Sequence, residues 1–137
     1  MSRFTLAALA ALLAVSPAAA KSLHPAEVGT IFCYGVLSED LAPALAIMTD
    51  ELRGLVEKKG ADTVSWQGDA GPADTCKPVG ARGSVDAPEV VLSYGFRDPS
   101  RRSFSDTLVM RFVDERLRID DIKFAAGPTL RQQLQAP

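Results

Sequence analysis

The chain reads as an α+β protein in which N-terminal helices pack on one face of a curved antiparallel sheet. Three observations predict this. Apolar residues recur at three- and four-residue steps between residues 25 and 59, then at two-residue steps from about residue 89 onward. In the second half, two strand-like runs are separated only by Asp114-Glu115, which leaves room for a two-residue hairpin turn and nothing longer. The order helix, helix, then meandering strands is that of an α+β domain, because the long crossovers needed for parallel pairing are missing.

Residues 1–20 stand apart from that plan. Arg3 gives a positive start, residues 4–15 are an apolar run, Ser16-Pro17 breaks it, and Ala18-Ala19-Ala20 offers small residues for cleavage. This is the layout of a secretory signal peptide, and the run is short of the roughly 20 residues needed to cross a bilayer. The expectation is a single domain over residues 21–137, located in the periplasm or secreted, with no membrane insertion after cleavage. It holds 14 basic and 17 acidic residues. That mildly acidic balance, without a basic helix or charge run, argues against nucleic acid as a partner.

Pro25 suits the first turn of a helix, and Val28, Ile31, Phe32 and Val36 form its buried stripe. Ser38-Glu39-Asp40 interrupts the pattern, and Pro43 opens a second helix. There Leu45, Met48, Leu52, Leu55 and Val56 face inward, up to the Lys58-Lys59-Gly60 stop. Residues 63–67 read as a short strand and 68–83 as a loop-rich connection. Residues 89–96, 103–113 and 116–124 read as the main strands, and 129–135 as a short closing helix. With Asp114-Glu115 as the turn, Phe112 faces Leu117 and Met110 faces Ile119 on the helix-covered side. Arg111 and Arg118 then lie opposite each other outside, with Asp120 beside them. The apolar phase slips after Ile119, so a β-bulge at Asp120-Asp121 is expected, returning Ile122 and Phe124 to the core.

Cys33 and Cys76 are the two cysteines of the chain. In an oxidising compartment they are expected to form a disulfide, worth about 4 kcal/mol for a loop of this length.

Helices followed by a curved sheet, ending in Leu117-Arg118-Ile119-Asp120-Asp121-Ile122 and closed by Leu130-Arg131-Gln132-Gln133-Leu134, resemble the cystatin-like, nuclear transport factor 2-like superfamily. Within it the chain is most similar to small periplasmic bacterial proteins of unknown function. The resemblance implies a cone-shaped sheet wrapped around a helix. It names no activity, because this scaffold carries many.

The residues exclude several chemistries. The single histidine, His24, sits beside Pro25 at a helix start, so neither a zinc site nor a Ser-His-Asp triad has the residues it needs. Neither a Gly-x-Gly-x-x-Gly nor a Walker motif is present, and no cofactor or metal is implied. One constellation remains. If residues 98–102 form the first hairpin loop, Phe96 faces Phe104, Tyr94 faces Asp106, Leu92 faces Leu108 and Val90 faces Met110. Asp106 would then interrupt an apolar face, partly desolvated, with Trp66 as a further wall of a small pocket. Trp66, Tyr94 and Asp106 are the candidate ligand pocket, and Asp106 is the weak candidate for acid–base catalysis. Arg97, Arg101 and Arg102 form a charged hairpin tip.

The sequence therefore supports an exported, non-enzymatic module that binds a small apolar ligand or a protein partner. The two alternatives are a small periplasmic enzyme using Asp106 and an immunity or inhibitor protein directed at a secreted toxin or hydrolase.

Overall fold

A computed structural model describes residues 22–69 and 71–137; the leader assigned to residues 1–20 lies outside them. Helix α1 spans Pro25–Ser38, α2 Ala42–Ala46 and α3 Asp50–Lys59, followed by a 3₁₀ turn at Ala61–Thr63. Strands β1 (Thr75–Gly83), β2 (Pro88–Gly95), β3 (Phe104–Val113) and β4 (Arg116–Lys123) come next, and α4 (Leu130–Gln135) closes the chain. The four strands form one antiparallel sheet in the order β1-β2-β3-β4. The class is α+β, with three helices before the sheet and one after it. Helix α1 packs on β1 and β2, while α3 and α4 pack on β4.

Local chemistry sets the helix ends. Pro25 occupies the first turn of α1, and the backbone N–H of His24 donates to the Glu27 carboxylate at 2.9 Å. At the other end Glu39 adopts a left-handed conformation (φ 58°) and the Asp40 N–H returns to the Gly35 carbonyl. Val28, Phe32 and Cys33 face inward as expected. Gly29 lies on the same face, where a Cβ would stand 2.9 Å from both Pro78 and Val90. Only glycine lets α1 come this close to the sheet.

The single second helix expected from Pro43 is two helices. Between them, the Thr49 N–H donates to the Ile119 carbonyl and the Ile119 N–H to that of Ile47, an isolated parallel bridge along the free edge of β4. Pairing with that edge outweighs helix continuation. Thr49 then caps α3 by accepting from the Leu52 N–H, and Asp50 and Glu51 fill its first turn.

The early strand is also displaced. Residues 63–67 are a 3₁₀ end and a loop, and the strand lies at Thr75–Gly83, inside the stretch read as loop. Pro78 and Gly80 are tolerated because β1 is an edge strand, and Val79 is left unpaired in a bulge between them. The Cys33–Cys76 disulfide ties α1 to this strand, with Cα atoms 5.3 Å apart.

The last hairpin has the expected register. Asp114 and Glu115 both carry positive φ (50° and 62°), as a type I′ turn requires, and Met110, Arg111 and Phe112 face Ile119, Arg118 and Leu117. Asp120 is the extra residue of a bulge, since Val109 pairs with Asp121 and Met110 with Ile119. Ile122 returns to the core. Two details differ. Phe112 is on the inner face yet 46 % exposed, because the β3–β4 ribbon runs past the last pairing with β2 at Glu89↔Val109. Asp120 engages Arg111, Arg131 and the Thr49 hydroxyl, whereas Arg118 donates to the Ala46 carbonyl.

Between β2 and β3 the pairing differs from expectation by two residues. Tyr94 faces Phe104, Leu92 faces Asp106 and Val90 faces Leu108. The loop is longer because Asp74 holds its start. The Asp74 N–H donates to the Gly95 carbonyl, and its carboxylate accepts from the Arg97 N–H. The Tyr94 and Phe104 rings stack at 4.7 Å. A two-residue shift preserves the side-chain face, so Leu92, Tyr94, Asp106, Leu108 and Met110 still point into the core.

Candidate functional site

The structure pairs Tyr94 with Phe104 instead of Asp106, keeps Tyr94 and Asp106 as neighbours on the core face, and carries Trp66 on a loop. Asp106 is 1 % exposed. Its two carboxylate oxygens accept the backbone N–H groups of Gly68 (2.7 Å) and Ala125 (2.8 Å). One group thereby fixes two connections, the loop before β1 and the segment after β4. Gly68 is required there, since a Cβ would lie 2.5 Å from the Asp106 oxygen. Burial pushes the Asp106 carboxyl above its usual range, while the two N–H donors pull it partly back. A carboxylate enclosed in this way ties the two connections together.

Tyr94 is fully buried under Phe104, and its hydroxyl has no hydrogen-bond partner among the described residues. Burial, reinforced by the nearby Asp106 charge, pushes the phenol well above its ordinary value. The hydroxyl stays neutral and inaccessible.

Trp66 lies elsewhere, in the loop between the 3₁₀ turn and β1. Its indole N–H donates to the Ala61 carbonyl at 3.3 Å, and its ring contacts Phe32 of α1 edge-on. It is partly exposed and lines two adjoining lobes of a surface groove. One lobe, of about 320 Å³, is walled by Val36, Leu37, Gln67, Pro72 and Ala73. The other, of about 290 Å³, is walled by Gly35, Leu41, Ala61 and Val64. Val36, Glu39 and Trp66 belong to both. Acidic side chains line the groove: Glu39 on both lobes, Asp69 on the first and Asp62 on the second. The chain folds this way because α1 ends at Glu39, leaving its final turn beside the loop that carries Trp66.

Of the hairpin arginines, Arg101 stacks over Phe96 at 3.7 Å and reaches Asp69 at 3.4 Å, fastening the β2–β3 loop to the groove's outer wall. Arg97 and Arg102 lie exposed on that loop. His24 caps α1. Among the described residues no group of three or more His, Cys, Asp or Glu side chains is placed to hold a metal ion, and no helix is long and apolar enough to cross a membrane.

Sequence reasoning singled out Trp66 but not its neighbours. Leu37 could have been noticed, being apolar and off the buried stripe of α1. Glu39 and Asp62 had no such signal, since only the packing of α1 against the 61–74 loop brings them together.

No family model, curated protein or solved structure matches the chain.

Proposed function

We propose that this protein is an exported, non-enzymatic binding module that engages a partner through the groove lined by Trp66. The observation carrying this reading is the groove itself: two adjoining lobes of about 320 and 290 Å³, lined by apolar and polar side chains together. Leu37, 41 % exposed, belongs to the first lobe's wall, and Tyr34, 64 % exposed on the same last turns of α1, adds apolar surface to that helix end. Export is supported by the leader-like residues 1–20 and by the disulfide. Helix cover on one sheet face and the bulge at Asp120 support membership of the cystatin-like, nuclear transport factor 2-like superfamily. An immunity or inhibitor role is a special case of this reading, with a toxin or hydrolase as the partner. We favour binding over the enzyme reading because each oxygen of Asp106 already accepts a backbone N–H.

Native mass spectrometry of the protein purified from its own compartment tests the proposal, with Leu37→Asp alongside. Leu37 is exposed enough for the variant to fold. A species bound to the wild type and lost from Leu37→Asp is the expected result. The same species retained by both would move the binding surface elsewhere.

A further inference from the structure

We infer that the groove takes a cationic, extended segment of another polypeptide, with a lysine or arginine side chain against Trp66 and an apolar side chain in the adjoining lobe. This rests on the binding role proposed above and adds the chemistry of the occupant.

Charge is the first argument. Glu39, Asp62 and Asp69 line the two lobes, and among the described residues no lysine, arginine or histidine does. Asp69 is paired with Arg101. Glu39 and Asp62 make no ion pair among the described residues. The groove also lies at the carboxyl end of α1, whose last turn holds no basic residue. The aligned carbonyls of a 14-residue helix therefore add negative potential at the same place. An anionic ligand would meet repulsion from three sources, and a cation attraction from all of them.

Trp66 supplies the second argument. Its N–H already donates to the Ala61 carbonyl, so a visitor to the lobes meets a part-exposed ring whose donor is in use. An indole face in negative surroundings suits an ammonium or guanidinium carried on an aliphatic stem.

Shape favours a polypeptide over a small cation. The groove is two adjoining lobes that share Val36, Glu39 and Trp66, and Leu37 of the first lobe and Tyr34 on the same helix end are exposed apolar side chains. A small cation would leave those residues uncovered. In an extended segment, side chains two residues apart point the same way about 7 Å apart, so one can enter each lobe.

Trp66 is the only tryptophan of the chain, so its emission reports occupancy directly. The disulfide-bonded protein is titrated with a peptide repeating Ser-Lys-Ser-Leu, with versions carrying Gln or Glu in place of Lys, and with n-butylammonium. The Lys peptide should shift the emission saturably and bind at least about tenfold tighter than the Gln peptide, with affinity falling as salt rises. Glu39→Gln combined with Asp62→Asn should reduce it to the level of the Gln peptide. The salt dependence of the wild type gives the same information without any variant. Equal binding of the Gln and Lys peptides would overturn the charge argument and leave the groove as a binding site. Butylammonium binding as tightly as the Lys peptide would overturn the polypeptide occupant. No response to any probe would remove both the inference and the groove reading.

Discussion

Replacing Asp106 with leucine removes the acceptor for two part-buried backbone donors, Gly68 N–H and Ala125 N–H. Each stranded donor costs about 1–3 kcal/mol. Against this stand the relief of a poorly solvated carboxylate and roughly 1–2 kcal/mol from the added apolar burial. The net expectation for Asp106→Leu is a loss of about 2–4 kcal/mol. In urea denaturation that is a midpoint lower by about 1–2 M, taking the slope usual for a small domain. Gly68→Ala tests the same contact from the other side. Its Cβ would sit 2.5 Å from the Asp106 oxygen and 2.9 Å from the Ala125 nitrogen, so a comparable loss is expected. A midpoint for Asp106→Leu at or above that of the wild type would refute the latch and return Asp106 to the list of residues kept for function.

The remaining predictions use the same assays. The folded-state pKa of Asp106 is raised, so its neutral form is favoured by folding. Its contribution should therefore be least favourable above that pKa and grow as pH falls through it toward the unfolded value of about 3.9. The stability difference between wild type and Asp106→Asn should increase on acidification, and a difference that shrinks would contradict the raised pKa. Tyr94→Phe removes a buried hydroxyl that has no partner, and should leave the urea midpoint unchanged or raise it by the equivalent of about 1 kcal/mol. Gly29→Ala forces a methyl against Pro78 and Val90, so overpacking of about 1–3 kcal/mol should outweigh the better helix propensity. Reducing Cys33–Cys76, which encloses 43 residues of sequence separation, should cost about 4 kcal/mol, read as a drop in melting temperature with dithiothreitol.

The parts legible in the sequence were those determined by neighbours along the chain. Asp114-Glu115 fixed a hairpin because two residues leave one geometry, and the break in apolar phase after Ile119 located the Asp120 bulge. Helix α1 was marked by Pro25 and its stripe. What could not be read depended on distant partners. Thr49 carries an N-cap side chain, but the break before it exists because Ile47 and Thr49 pair with Ile119, far along the chain. Strand β1 holds two breakers, Pro78 and Gly80, and is a strand only because β2 offers it an edge. The two-residue offset between β2 and β3 followed from Asp74 seizing Gly95 and Arg97. The face of Asp106 was legible from alternation, whereas the donors that claim its oxygens come from two loops with no periodicity. For the same reason the groove at Trp66 was not legible, since its walls come from the end of α1 and the 61–74 loop.

The sheet ends differently on its two sides. At β4 the Ile47–Thr49 linker lies along the border and uses its hydrogen bonds. At β1 no described residue pairs with the border, which is ill suited to a newcomer because Pro78 lacks an N–H and Val79 breaks the register. Behind β1 stands β2, whose Val90-Val91-Leu92-Ser93-Tyr94 stretch has no such protection. The cystine linking α1 to β1 therefore fastens a poor template over a good one. Freed of that bond, β1 would peel away first and bare a flat, sticky strand to other copies. The bridge is a solubility device as much as a brace, and the reduced protein should be recognised by clouding before it is recognised by melting.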